Sequence, residues 1–571
     1  MGYPKLIRRF YEPLRVLHVL GQTRGKHTVV PRSADPSDQS RRRLLENLAY
    51  LCDYEKGGST TAALGLEGLD TGYVFWIASN GASKLAKMQP FLESSIVNIR
   101  RVIRDAPEFT EVQFVEQCID FATARIKKEQ RFLENSIAAA ISSLAYPRSD
   151  SDQALADWLL GFHGQTPIDV CHLAYDQRKS DNMRLITIRG RPADDESHQS
   201  TLVRTYVGLR HFLGRLASHV RAPKMVILDA RRHQNIFDEG VSTVRRVATP
   251  DSVPPPAPNG KVTPSSIMNR MGGSDKPKMK MYQEAMAFMD QKLRIGDKIR
   301  ATYAKEDFCP SVHCEVQVLE HFYENGLRFA FNDRSIACSK PACYCCHLYF
   351  QAHPAVPEEP RSHQKIWLNW SPPLIPDGDR DALRYPHQRD ILNHMVETIR
   401  KEALNQIERK VTDMGFHPDS TTGITPSIFS DKPLEDQMGN LHIGESTPMR
   451  TVLWRPVSHI TLGPPQPDAE GNESDSSDTV HSISSNSVHS LHNADVLDTT
   501  SNEHTEPGPW GPSDNEDPVT TDVVATGSSV TGTVGPTTNA TGGTTVDATN
   551  VVSIESDNDD DSSEDEGGAV L

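Results

Sequence analysis

The sequence predicts a mixed α/β protein with a large helical share, followed by a long disordered tail. Three observations carry that prediction. Two extended runs, Thr60 to Leu66 and Tyr73 to Ser79, flank the turn-rich stretch Glu67 to Gly72 and read as a hairpin. Residues 84–220 and 386–414 place apolar residues at helical spacing. Beyond about Pro464 the chain is Ser, Thr, Asn, Asp and Gly with few large apolar residues, too few to offset the entropy of ordering it.

Taken in order, the N-terminal residues 1–39 are expected to contain an amphipathic helix. Ser40 to Tyr54 puts Leu44, Leu45, Leu48, Leu51 and Cys52 on one helical face, and the hairpin follows within 40–80. Residues 81–300 read as mostly helical, with Phe109 to Ala145 the clearest element and polar breaks at Pro147–Asp150 and Arg189–Pro192. The Pro-, Ser- and Gly-rich stretch Thr249 to Lys278 reads as a flexible loop, and Met279 to Ile295 as a helix. Within 301–415, His313 to Asn325 is a helix stopped by Gly326, Leu327 to Ser339 is extended, and a second helix over Cys343–His353 opens at Pro341. Lys365 to Trp370 is a candidate strand, and Pro386 to Met414 a long helix with Gly415 past its end. Residues 416–463 read as extended and 464–571 as an acidic tail.

Charge divides the chain. Its 571 residues carry a formal charge of −16, yet from Pro456 onward there are 22 Asp+Glu and no Lys or Arg. The remainder holds 60 basic and 54 acidic residues and is mildly basic, which permits nucleic-acid binding without demanding it. Glu555 to Glu566 packs eight acids into twelve residues; such a tail is read first as solvating, and otherwise as a contact for a protein partner. No apolar run approaches the 18 residues of a transmembrane helix, so no membrane role is expected. Six of the nine Cys lie between Cys309 and Cys346, a clustering that suits metal chemistry in a reducing compartment, cytoplasm or nucleus. Oligomeric state is not legible.

The most informative residues are His313-Cys314-Glu315 and, 28 positions later, Cys343-Tyr344-Cys345-Cys346. His313, Cys343 and Cys346 are three of the four ligands that a tetrahedral Zn²⁺ takes, leaving one position for water. Glu315 lies next to the metal without being needed as a ligand, so it is free to move protons. An H-x-E followed by C-x-x-C is the layout of a zinc hydrolytic deaminase. The competing expectation is a closed Cys₃His site in which Cys309 is the fourth ligand, a zinc-stabilised scaffold without catalysis.

These residues, with Ser339-Lys340, His347-Leu348, Ser362-His363-x-Lys365 and Trp370 downstream, resemble the cytidine-deaminase-like superfamily, in its branch of deaminases widespread in filamentous fungi. Two departures stand out: Pro341 lies two positions before the first Cys instead of adjoining it, and Cys345 sits inside the C-x-x-C. The resemblance implies a three-layer α/β/α core, split here by a large helical insertion after the hairpin; the alternative is a separate N-terminal helical domain with a hairpin of its own. It also implies that Asn80, at the end of the second strand, lies near the metal and holds the substrate. His363 and Trp370 are further candidates for substrate contact, Trp370 by stacking on a base. The implied reaction is deamination of a base in nucleic acid, or of a free nucleoside or nucleotide.

Overall fold

A computed structural model describes residues 2–412 apart from 29–32, 34, 145–147, 192–200, 255, 257–262, 272–275, 304–308 and 376–383. Expectations for Gly415, the segment 416–463 and the acidic tail fall outside the described residues. The first helices are α1 (Tyr3–Leu20) and α2 (Pro36–Cys52), followed by strands β1 (Ala62–Leu69) and β2 (Gly72–Ser79). Seven helices come next: α3 (Leu85–Ile103), α4 (Glu111–Phe121), α5 (Thr123–Ser142), α6 (Asp150–Leu160), α7 (Pro167–Gln177), α8 (Asp181–Arg189) and α9 (Thr201–Ala230). Strand β3 (Ser242–Arg246) precedes α10 (Pro264–Met271), α11 (Lys276–Leu293) and α12 (Ile295–Tyr303). The last elements are α13 (Cys314–Glu324), β4 (Ala337–Cys338), α14 (Tyr344–Ala352) and α15 (Arg384–Arg409). No helix among the described residues is long and apolar enough to cross a membrane.

The sheet runs in the order β3-β2-β1-β4. β1 and β2 form the expected antiparallel hairpin, but its turn is only Asp70-Thr71, because Glu67 to Leu69 pair with Val74 to Gly72. The Trp76 indole N–H donates to the Glu67 carboxylate at 2.8 Å and keeps that acidic residue in the strand. Gly72 allows β3 to dock: a Cβ there would meet the Val241 carbonyl oxygen at 2.0 Å. β3 runs parallel to β2, and the short β4 pairs antiparallel with Ala63 and Leu64 of β1.

Helices cover both faces of this sheet. Ala63 and Ala78 belong to a core shared with α1, α13, α14 and α15. Ala62, Leu64, Leu66, Phe75 and Ile77, on the opposite side of the same strands, belong to a core shared with α2, α3, α4 and α9. α13 lies close on the backbone of β1, since a Cβ on Gly65 would come within 2.7 Å of Val318 and Phe322. A third apolar cluster joins α4 to α9 away from the sheet. Buried charge ties these helices back: Arg125 bonds Asp53 at 3.1 Å and Glu129 at 3.2 Å, and Glu129 also receives Arg215 and His219. Asp53 meanwhile accepts from the hydroxyls of Thr60 and Ser339, at the edges of β1 and of the C-x-x-C segment.

Several expectations give way. Phe109 to Ala145 is two helices broken at Ala122, where the backbone leaves the helical region. The Pro-rich stretch contains α10, whose Ile267 and Met268 are buried. Leu327 to Ser339 is mostly not strand: a 3-10 turn spans Ala330–Asn332, with Phe331 and Asn332 at positive φ. Lys365 to Trp370 forms no strand; its β-pairing is limited to single bridges, Lys365 with Thr23 and Trp370 with Ser311. Pro341 does not open α14; Cys343 does, as its N-cap.

Candidate metal centre

The start of α13 is capped from far away. His313 is its N-cap residue but makes no capping bond with its own side chain. Asn80 Oδ1 instead accepts the Cys314 N–H at 2.8 Å, across 234 residues of sequence. Gln317 reinforces the junction by donating to the carbonyls of Ser79 and Val312, at 3.1 and 2.6 Å. The His313 side chain is thus left to turn toward α14. There the C-x-x-C spacing places Cys343 at the N-cap and Cys346 one turn in, with the Cys346 N–H donating to Cys343 Sγ at 3.4 Å.

His313 Nδ1 lies 3.5 Å from Cys343 Sγ and 3.4 Å from Cys346 Sγ, and the three ligand atoms all fall within 4.8 Å of one another. A tetrahedral zinc with bonds of about 2.3 Å to sulfur and about 2.05 Å to nitrogen would separate such atoms by about 3.6 Å. The donor set and its spacing therefore fit zinc. All three residues are buried, as is Glu315, whose carboxylate accepts from Cys314 Sγ at 3.4 Å. Burial would raise the Cys343 thiol, but the bond from Cys346 and the charge of His313 outweigh it and bring Cys343 down to about 6. Burial would lower His313, but the Cys343 charge and hydrogen bond hold it above its usual range. The two groups thus favour each other's charged forms.

Cys309 is exposed and is not among the residues gathered there. Cys345 is buried outside the cluster. Trp370 corrects the sequence reading. None of its surface is exposed; it packs on Phe10 and Tyr349 with ring centroids 5.4 and 5.9 Å away, leaving no face for a base. Its indole N–H donates to Cys346 Sγ at 3.1 Å, and its carbonyl accepts from the Tyr11 hydroxyl at 2.9 Å. Such a bond stabilises negative charge on the sulfur. His363 is buried beside the start of α14: its N–H donates to the Ala342 carbonyl, and its Nδ1 accepts from the Lys365 N–H at 3.1 Å. Asn80 reaches the residue next to His313, and its amide is committed at both ends, Nδ2 donating to the Gly58 carbonyl at 3.1 Å.

Sequence reasoning missed a second buried group farther along α13. Glu320 accepts from the Tyr349 hydroxyl at 2.5 Å, and its Oε1 lies 3.2 Å from His353 Nε2 and 3.5 Å from His387 Nε2. The one available signal was an acidic residue placed in an otherwise apolar part of the helix.

Residues 312–374 match the model of a family described as OTT_1508_deam-like deaminase. No curated protein and no solved structure matches the chain. The matched segment begins one residue before His313 and ends four residues after Trp370, so it contains the whole cluster, and it supports a deaminase.

Proposed function

We propose that this chain is a zinc-dependent hydrolytic deaminase acting on a nucleobase in nucleic acid, with free nucleosides or nucleotides as the next substrate class. One observation carries the proposal: the buried His313–Cys343–Cys346 triad, with Glu315 two residues from the histidine, lies inside the segment that matches a deaminase family. His313, Cys343 and Cys346 would hold the ion. Bound there, Zn²⁺ supplies the Lewis acidity that lowers the pKa of water from about 15.7 to about 7. Glu315 moves the protons. It takes one from the attacking water and delivers it to the ring nitrogen. It then carries the second to the exocyclic amine as the C–N bond breaks. A C–O bond forms at C4 of cytosine or C6 of adenine, and ammonia leaves. Trp370 steadies the Cys346 sulfur from behind, and Asn80 fixes the start of the helix that carries His313 and Glu315.

We read α2, β1 and β2 together with α13, β4 and α14 as a split core of the cytidine-deaminase-like superfamily, in its fungal branch, with 81–300 as an insertion. The β1–β4 pairing and the Asn80–Cys314 bond support that reading. The mildly basic body favours nucleic acid as substrate. The closed Cys₃His alternative lacks its fourth ligand, since Cys309 stands apart and exposed.

The test couples zinc content of the purified full chain to ammonia release over single-stranded DNA, RNA and free nucleosides, with Glu315→Gln alongside. Bound zinc with Glu315-dependent ammonia supports the enzyme. Bound zinc without turnover on any of these substrates defeats the proposed function.

A further inference from the structure

α1 has two faces that meet different partners. Its inner face sets Phe10 and Tyr11 against Trp370. Its outer face presents Lys5, Arg8, Arg9 and Glu12 at i, i+3, i+4 and i+7, along one stripe of the helix. Together with Arg270 of α10 and Arg400 of α15, this stripe lines a cleft of about 570 Å³.

The charge in the cleft is one-sided. Among the described residues, five basic side chains and a single carboxylate line it. That carboxylate, Glu12, is already bonded to Arg270 at 2.7 Å. Lys5, Arg8 and Arg9 form no ion pair among the described residues. Arg400 is half-buried and held in place by the backbone carbonyls of Arg270 and Met271. Burial, and then the charge of Arg9, push the Arg400 guanidinium below its usual pKa, as expected for cations crowded without counter-charge. The first turn of the 18-residue α1 adds the partial positive charge of a helix N-terminus on the same side.

We infer that this cleft is a binding site for a small molecule bearing several phosphate groups. Guanidinium forks match phosphate oxygens in pairs, and four of the five cations are arginines. The volume falls within the roughly 300–1,000 Å³ of small-molecule sites. Among the described residues no aromatic ring lines it, so they offer no stacking platform of the kind a single-strand track uses. The cations come from three helices, α1, α10 and α15, and line one cleft. This site lies apart from the zinc cluster and does not rest on the deaminase reading.

The experiment is calorimetric titration of the full chain with sodium tripolyphosphate at physiological salt. The comparison pairs Arg8→Ala/Arg9→Ala with a charge-matched control on α5, Lys127→Ala/Arg131→Ala. All four side chains are exposed, so folding is not at stake, and unchanged melting temperature checks this. The expected result is saturable binding of one tripolyphosphate per chain, weakened at least tenfold in the α1 variant and unchanged in the control. Absent binding, or equal loss in both variants, overturns the site. A single-stranded oligonucleotide that binds more than tenfold tighter, and loses that affinity in the α1 variant, overturns the small-molecule assignment in favour of a nucleic-acid path. A soluble inositol polyphosphate set against phosphoinositide vesicles tells a free source from a lipid-borne one. Loss of either in the α1 variant alone supports the cleft.

Discussion

Helix α13 contributes to three groups of potential ligands, and two of them, at His313 and at Glu320, differ in kind despite similar geometry. At its start His313 faces two sulfurs at 3.4 and 3.5 Å; farther along, Glu320 faces two imidazoles at 3.2 and 3.5 Å. Both sets gather their ligand atoms within 4.8 Å. Distance and composition do not separate them, but the bonds made by the other atoms of each group do. His353 Nδ1 accepts from the Ala355 N–H, which assigns its proton to Nε2, pointing at Glu320. A nitrogen that carries a proton is not a metal ligand. Burial would raise the Glu320 pKa, yet His353 and His387 hold it at about 2. That group is centred on a buried carboxylate, with both imidazoles within 3.5 Å of it. In the first triad Cys343 is held low, and Trp370 donates from behind to a sulfur that can still bind metal. The first donor set, two thiols and an imidazole, is compatible with zinc; the second is organised around a carboxylate.

The comparison breaks most sharply at the ligands. Cys343→Ser should drop zinc from one per chain to near zero and abolish turnover, as read by elemental analysis and ammonia release; the removed thiolate is one of only three protein ligands. Glu315→Gln should keep zinc and stability but slow ammonia release by roughly 10²–10⁴-fold. In the second triad the effect moves from chemistry to stability. Glu320→Gln should leave zinc bound but destabilise the fold by about 3 kcal/mol near neutral pH, because it removes the carboxylate that faces buried His353 and half-buried His387.

The pH dependence sharpens that last point. Glu320 has a folded pKa of about 2, below its ordinary 4.5, so its contribution is complete above about 4.5 and is lost as pH falls toward 2. The stability gap between wild type and Glu320→Gln in urea unfolding should close across that window. A gap that stays constant down to pH 2 would refute this role of the carboxylate. Trp370→Phe preserves a buried ring but deletes the N–H···S bond, and should weaken zinc about tenfold in a chelator competition. Asn80→Ala removes a helix cap and should lower stability by about 1 kcal/mol, the smallest of these effects.

Much of this was legible in the sequence because it is local. Periodicity located α2, α13 and α15, and the alternation around Asp70 located the hairpin. The metal triad was legible because H-x-E and C-x-x-C spacings are set by helix starts, which local sequence controls. What stayed hidden depends on partners far along the chain. Ser-Thr-Val-Arg-Arg over 242–246 becomes a strand only because β2 offers an edge to it. Its charged residues suit an exposed edge and mask the strand signal. The Trp370 bond to Cys346 has no sequence signature, since any buried indole near a sulfur could make it. The Glu320 cluster draws on α13, α14, the residues after it and α15, and no single window contains it.

The bond between Asn80 and Cys314 spans 234 residues, and that distance sets an order of events during synthesis. At about 5–20 residues per second, the ribosome spends on the order of ten to fifty seconds between making one partner and the other. The hairpin emerges early, and α3, α4 and α9 arrive in time to cover one of its faces. Its other face, where Gly65 awaits α13, and the β1 edge that β4 will occupy stay bare through the interval. No complete set of ligands exists until Cys346 leaves the exit tunnel. The three donors of the candidate centre are therefore first complete late in synthesis, after the helices that cover the opposite face of the hairpin have been made.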